Sequence, residues 1–320
     1  MSVDLTIVET HKSLPAALGA DLVSAVDLAK AEKAPSTRKA YETDFRLFQA
    51  WCDARGVNSL PAASETVAAY IAAEAGRSRP STLGRRLAAL RYAHKLAGLP
   101  LPADSEGVKA TMRGIRRTYG STKVRKAPAV AAKMLGMVAT APVSLGGQRD
   151  RALLLLGFAG AFRRSEIVAL DVADIEETEA GLLVTIRHSK TDQEGEGVTI
   201  AIARGDVACP VKALRAWLGS AGIEDGPLFR PINKAGRVAA ARLTDRSVAN
   251  IVKVYAERAG FDASTFSGHS LRSGFLTSAA ANGASIFKMM DVSRHKSVET
   301  LRGYVRDAEL FKDHAGSGLL

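Results

Sequence analysis

Cysteine is scarce in this chain: two residues in 320, Cys52 and Cys209, far apart in sequence. No CxxC pair and no Cys/His cluster accompanies them, which argues against a disulfide framework and against a zinc site. The longest apolar run, Ala152 to Phe162, is well short of the ~18–20 residues that span a bilayer. The opening residues, MSVDLTIVETHK, lack a basic stretch followed by a long apolar core. No signal peptide and no membrane partner are therefore expected, and the expected location is cytoplasmic. Also missing are a Gly-x-x-x-x-Gly-Lys-Ser/Thr phosphate loop, an HExxH helix and an EF-hand loop. Gly268-His269-Ser270-Leu271-Arg272 approaches a serine nucleophile elbow, but Arg stands where the second Gly belongs and no strand precedes it.

What is present is apolar substance and a localised charge. Hydrophobic residues make up 47% of the chain, enough for a core in each of two domains, the natural division at this length. The formal net charge is +11, and residues 77–126 hold 13 Lys/Arg against 2 Asp/Glu. Elsewhere the two signs balance, so one window carries the whole excess. One concentrated basic face on a balanced protein is the footprint of a polyanion partner, the plainer alternative being a solvated basic surface.

Residues 1–34 read as a flexible segment with a possible helix near Ala16–Lys30. A helical domain is expected over 35–120. Tyr41, Phe45 and Phe48 form one apolar stripe, and Ser64 is placed to cap a second helix through Tyr70 and Ile71. A third helix starts at Ser81 with Leu83, Leu87, Leu90 and His94 on one face and Arg85 on roughly the opposite side. A fourth runs from about Glu106, burying Val108, Met112 and Ile115, while Lys109, Arg113 and Arg116 repeat the same spacing one residue on. No acidic residue sits at i±4 on that basic ridge, so it is expected to be open to phosphates. Residues 121–130 read as a linker. The second domain, 131–320, opens with helices around Met134 and Ala152–Phe162. Leu182–Arg187 and Val198–Ile202 then read as paired strands around a polar loop, with helices from Pro210 to the end. The expected fold class is mostly α in two domains, the second α-rich with a small antiparallel sheet.

The residues able to do chemistry are dispersed. Arg163 and Glu166 lie at the end of a hydrophobic helix, Lys190 in the hairpin loop, and His269 and Arg272 three apart on one helix face. His295 and Tyr304 are nine apart, about 900° on one helix and hence on opposite sides. If Ser297 caps a helix beginning near Val298, His295 lies in the preceding turn and bends back towards Tyr304. Singly, each has a plain reading: a surface ion pair, a turn lysine, a core histidine, a core tyrosine.

The ordered set Arg163, Lys190, His269-x-x-Arg272, His295 and Tyr304 resembles the active-site signature of the tyrosine recombinases, the phage integrase family. The segments FRRSEIVAL, SGHSLRSG and HKSVETLRGYVR carry the match. The likeness extends into the first domain, towards the Cre-type members, through Ala50-Trp51-Cys52, Gly98-Leu99-Pro100 with Asp104-Ser105, and Met112-Arg113 with Ile115-Arg116. Cre-type members have Trp where this chain has His295, and His is common there across the family. The tail beyond Tyr304 is short and Gly-rich.

The resemblance implies a core-binding domain followed by a catalytic domain, and DNA strand exchange through a 3′-phosphotyrosine at Tyr304 and a Holliday junction. It implies double-stranded DNA with an inverted-repeat site as partner, a homotetramer on that DNA and a monomer or weak oligomer when free. No metal and no cofactor are expected. A free phenol has pKa ≈ 10, so about one in a thousand is ionised at neutral pH and the nucleophile needs help. Arg163 and Arg272 suit clamping of the nonbridging oxygens, with His295 beside them. Lys190 is the candidate general acid, His269 assists at Tyr304, and Glu166 supports Arg163. For DNA contact, Ser81 and Thr82 begin a helix that enters the major groove by the resemblance. Arg85, Lys109, Arg113 and Arg116 are expected on phosphates and Arg246 on a base. The alternatives are a type IB topoisomerase-like enzyme and a catalytically silent DNA-binding relative.

Overall fold

A computed structural model of the chain describes residues 32–120, 126–187 and 197–308, with a few isolated positions between 21 and 28. Of the helix expected near Ala16–Lys30 only Asp21, Ser24, Ala25 and Leu28 are described, each of them helical, and the tip of the hairpin loop lies outside the described residues. The chain divides into two units, Met1–Val124 and Arg125–Leu320.

In the first unit, Pro35 at the first helical position starts α1 (Pro35–Asp53), consistent with a fixed φ and a missing N–H that cost nothing there. Three helices follow: α2 (Ser64–Glu74), α3 (Pro80–Leu96) and α4 (Glu106–Tyr119). Ser64 is not the cap expected of it but the first helical residue, after Ala63. The α4 cap is Ser105, whose hydroxyl accepts from the Val108 N–H at 3.3 Å. α1 packs on α3, and α2 on α4. Phe45, Phe48, Tyr70, Ile71, Leu83, Leu87, Leu90, Val108, Met112 and Ile115 fill the space between them, as the 3.6-residue spacing dictates. His94 is a satisfied core histidine: its Nε2 accepts from the Ala62 N–H at 3.0 Å, so its Nδ1 donates to Leu90 O at 2.9 Å.

The second unit is built around α6 (Leu145–Ala159), where Leu153 to Leu156 are all buried. The apolar C-terminal half of this helix must be covered on every side, and α5 (Ala131–Ala139), α8 (Pro210–Ala221), α9 (Asp245–Arg258) and α10 (His269–Ala281) pack on the helix. The short α7 (Arg164–Ala169) follows α6. The sheet has three antiparallel strands in the order β1 (Ile175–Glu177), β2 (Gly181–Ile186), β3 (Val198–Ala203). Leu182 opposite Ile202 and Val184 opposite Ile200 face the core. Strand β1 was not expected, being three residues long with two exposed glutamates. The stretch after Pro210 is not helical throughout. Residues 223–244 are irregular, with a bridge between Ile232 and Val238, because Gly226, Pro227, Pro231 and Gly236 interrupt any helix there. α11 (Ile286–Ser293) and α12 (Val298–Ala308) close the chain's described part.

Residues 126–130 were expected to be linker, yet they are bound to the second unit. The Ala127 and Ala129 N–H groups donate to Thr265 O at 2.9 Å and Ser270 O at 3.0 Å, and Ala129 is fully buried. Gly274 on α10 makes this possible, since a Cβ there would stand 2.1 Å from the Ala129 carbonyl oxygen. The obstacle is backbone and cannot rotate away. Gly274→Ala is therefore expected to destabilise the second unit by ~1–3 kcal/mol, as overpacking does. Gly114→Ala, where a Cβ meets nothing within 4 Å, should be neutral or stabilising by up to ~1 kcal/mol. Urea midpoints of the two variants check the contrast.

Candidate active site

α6 is capped at Gly160, and the chain reverses through Ala161, held at φ +45°. Arg163 is thus the residue preceding α7 rather than the end of a long hydrophobic helix, because α6 stops at Ala159. Glu166, in the first turn of α7, accepts the Arg163 backbone N–H at 2.8 Å and its guanidinium Nη1 at 2.5 Å. This carboxylate is 2% exposed. Its second oxygen also accepts from Nη2 of Arg294 at 2.7 Å, a side chain only 5% exposed.

Arg272, from the first turn of α10, is 1% exposed. Its Nη1 donates to Ala161 O at 2.7 Å, and its Nη2 donates to Ser293 O and lies 3.3 Å from the His295 ring nitrogens. His295 sits in the turn between α11 and α12, as the Ser297 capping argument requires. The Ser293 hydroxyl donates to Met289 O at 2.6 Å and is 2.8 Å from His295 Nδ1. With that hydroxyl hydrogen committed, Nδ1 is the ring nitrogen that carries a proton and Nε2 accepts from Arg272, an assignment from the network.

His269 opens α10, and its Nε2 lies 3.2 Å from the phenolic oxygen of Tyr304 on α12. The His295 and Tyr304 rings are 6.3 Å apart between centroids. Arg163, Glu166, His269, Arg272, His295 and Tyr304 therefore form one connected cluster, drawn from α7, α10, α12 and two turns.

The cluster is cationic. Burial pushes the Glu166 carboxyl up, but Arg294 and then the Arg163 donors outweigh it and hold the pKa below the usual range. Desolvation, then Arg272 and Arg163, lowers His269. The same sequence of causes, with His269 and Arg294 added, takes His295 down to about 4. Burial, then Arg163 and Arg294, lowers Arg272 to about 9, so it keeps its charge at neutral pH. Three guanidiniums around one carboxylate, beside two neutral imidazoles, leave a surplus of positive charge that an anion would neutralise. Among the described residues no group of three or more His, Cys, Asp or Glu is arranged to hold a metal.

The DNA-contact candidates are not members of this cluster. Ser81, Lys109, Arg113 and Arg116 are exposed and Thr82 is half-buried. Lys109, Arg113 and Arg116, with Arg91, line a groove of 320 Å³ between α3 and α4. The ridge is not wholly unpaired as expected, because Arg113 reaches back two turns to Glu106. Both groups are exposed, so the pair is worth little. Arg85 is also paired, bidentate to the buried Asp44 at 2.7 and 3.0 Å, because a buried carboxylate requires a partner. Its side chain is still 52% exposed. Arg246 is exposed near the start of α9. Lys190 lies outside the described residues. Arg294 and Ser293 were missed: a basic residue at a helix end reads as an ordinary dipole partner, and nothing in the sequence marks it as buried.

Residues 130–310 match the Phage integrase family. The chain is 41% identical over 290 residues to an integrase/recombinase XerD homolog of Selenomonas ruminantium, covering 88% of this chain and 85% of that protein. It is 27% identical over 333 residues to recombinase Cre of Escherichia phage P1, covering 97% and 96%. In fold it is similar to a crystal structure of lambda integrase residues 75–356 bound to DNA, with TM-score 0.61, 17% identity, and coverage of 92% and 96%. The likeness to a XerD homolog is thus stronger in identity than the likeness to Cre. With the match spanning the whole of the site just described, the chain belongs to the phage integrase family, the tyrosine recombinases, and is a site-specific recombinase that cleaves and rejoins DNA.

Proposed function

We propose that Tyr304 is the nucleophile of this recombinase, that Arg163, Lys190, His269, Arg272 and His295 are its other catalytic residues, and that Glu166 supports Arg163. The observation that carries the reading is the 3.2 Å approach of His269 Nε2 to the Tyr304 oxygen beside the buried Arg272 and His295. The phenol oxygen attacks the phosphorus of a DNA phosphodiester, forming a 3′-phosphotyrosine, and the 5′ oxygen leaves. A neutral His269 takes the phenolic proton. Lys190 donates a proton to the leaving oxygen. The transition state gathers charge on the nonbridging oxygens. Arg163 offers its exposed edge, and Arg272 keeps the guanidinium donors not used on Ala161, Ser293 and His295. His295 is neutral without substrate, but an arriving phosphate anion favours its protonated form and so supplies a further donor. Since the phosphotyrosine retains the energy of the broken ester, rejoining needs no nucleotide.

Residues 35–120 act as the core-binding domain and 131–320 as the catalytic domain. Exchanging strands between two duplexes takes four cleavages with one nucleophile per chain. A homotetramer on inverted-repeat sites satisfies that count, identical protomers reading matching half-sites. Lys109, Arg113 and Arg116, with Arg85 held by Asp44, contact phosphates. Ser81 and Thr82 start the groove-facing helix, and Arg246 reads a base.

A nicked suicide duplex built from inverted repeats flanking the gene tests the site. A denaturation-resistant covalent complex is expected with the wild type and not with Tyr304→Phe, and equal trapping by both sinks the assignment. His269 must be neutral to accept a proton, and its pKa is lowered. The cleavage rate should therefore hold from pH 8 down to the ordinary histidine value of about 6.5 and fall only below it. A decline already beginning above pH 7 contradicts that role. Neutralising Lys109, Arg113 and Arg116 together should make the slope of log K against log salt shallower by about 2–3 for any sequence. Arg246→Ala should instead cost about 1–3 kcal/mol of discrimination at one or two base pairs, measured by competition binding.

A further inference from the structure

Arg294 is buried, charged and held in a backbone conformation that side chains avoid, at φ +58°. A glycine would suit that backbone better, so something must favour arginine at this position. Its guanidinium makes four contacts with neighbouring groups. Nη1 donates to Gly160 O at 3.0 Å and Val292 O at 2.5 Å, and Nη2 donates to Ala161 O at 3.2 Å and to Glu166 Oε2 at 2.7 Å. The plane lies 5.2 Å over the Phe162 ring. Every partner but Val292 belongs to the turn that presents Arg163 or to the carboxylate that holds it.

Position 294 is the residue immediately before His295. The Ala161 carbonyl that accepts from Arg294 also accepts from Arg272. Arg294 therefore ties together three parts of the cluster: the α6–α7 turn bearing Arg163, the α11–α12 turn bearing His295, and Arg272. We infer that Arg294 is a positioning residue of the recombinase site, cross-linking these two turns through Glu166 so that Arg163, Arg272 and His295 meet one phosphate in a fixed arrangement. Arg294 itself, buried beneath the others, does not touch the substrate. The inference rests on the proposed assignment of Arg163, His295 and Tyr304. It goes beyond that assignment by explaining what holds the groups in register.

Two substitutions separate charge from backbone. Arg294→Gly relieves the left-handed backbone and removes the guanidinium, while Arg294→Lys keeps a charge without the planar fork. Trapping on the nicked duplex is measured for both beside the wild type and Tyr304→Phe, with DNA affinity and melting recorded. Arg294→Gly should bind DNA within about twofold of the wild type and cleave about 10–100-fold more slowly, the loss typical of a misplaced reacting group. Added guanidinium ion should restore part of the rate. The acid limb of its pH profile, which belongs to His269, should stay at the wild-type position, because burial, Arg272 and Arg163 set that pKa. In Arg294→Lys the rate should also remain reduced, because an ammonium cannot make the forked contacts to both turns. If Arg294→Gly does not fold, the lysine variant alone carries the test. Wild-type cleavage rates in the folded variants, or a slow Arg294→Gly that guanidinium does not rescue, overturn the inference, as does failure of both to fold, which would make Arg294 a stability residue only. If the wild type traps, Tyr304→Phe does not, and Arg294→Gly traps at the wild-type rate, this inference falls and the nucleophile assignment stands. If Tyr304→Phe traps as well, both fall.

Discussion

Two guanidinium groups share one carboxylate beneath the site, and the remainder of the cluster is arranged around that sharing. Glu166 has an oxygen for each arginine: Oε1 faces Arg163, and Oε2 takes Arg294 together with the Arg163 backbone N–H. A carboxylate this deeply buried is tolerable only when its acceptor sites are filled by charged or backbone donors. Those donors come from segments 128 residues apart in the chain. The local geometry of α7 and of the turn after α11 is consequently one problem with one solution. Removing either arginine leaves the carboxylate under-satisfied, and removing the carboxylate leaves two cations adjacent in a region of low polarisability.

That arrangement also fixes how the site treats protons. Burial, and then the surplus positive charge, lowers both imidazoles and keeps them neutral in the absence of substrate. A neutral His269 is suited to receive a proton. His295, lowered to about 4, is neutral, and a bound anion would favour its charged form. The same surplus is unfavourable to the empty protein, since like charges in a desolvated pocket repel. Tertiary packing around α6 and α10 has to offset it. This is the familiar opposition between preorganised charge and stability.

How much of this could be read from the chain follows from the range of each interaction. Val108, Met112 and Ile115 were legible because helical periodicity is local, and so were β2 and β3, flanking a Gly-bearing polar loop. The candidate site residues could be picked out through their order and spacing, which matched a family pattern. Arg294 was not, because its burial depends on Glu166 and Gly160, far away in sequence. Arg85 looked like a free cation for the same reason: Asp44, its partner, lies on a different helix. The docking of residues 126–130 was hidden behind a composition typical of linkers, and only the proximity of Gly274 explains it. Strand β1 carries too few residues to show any period.

The ladder between β2 and β3 ends at Ile186 opposite Val198. Whatever path the chain takes beyond it, Lys190 is four residue steps on from Ile186, so the two Cα atoms are never more than about 14 Å apart. The sheet thus bounds where the proposed proton donor can lie. A slip of one residue in the pairing turns every side chain to the opposite face. A slip of two keeps the faces but shifts that bound by about 7 Å. Strand register, ordinarily a matter of core packing, becomes here a tolerance on where a proton can be delivered.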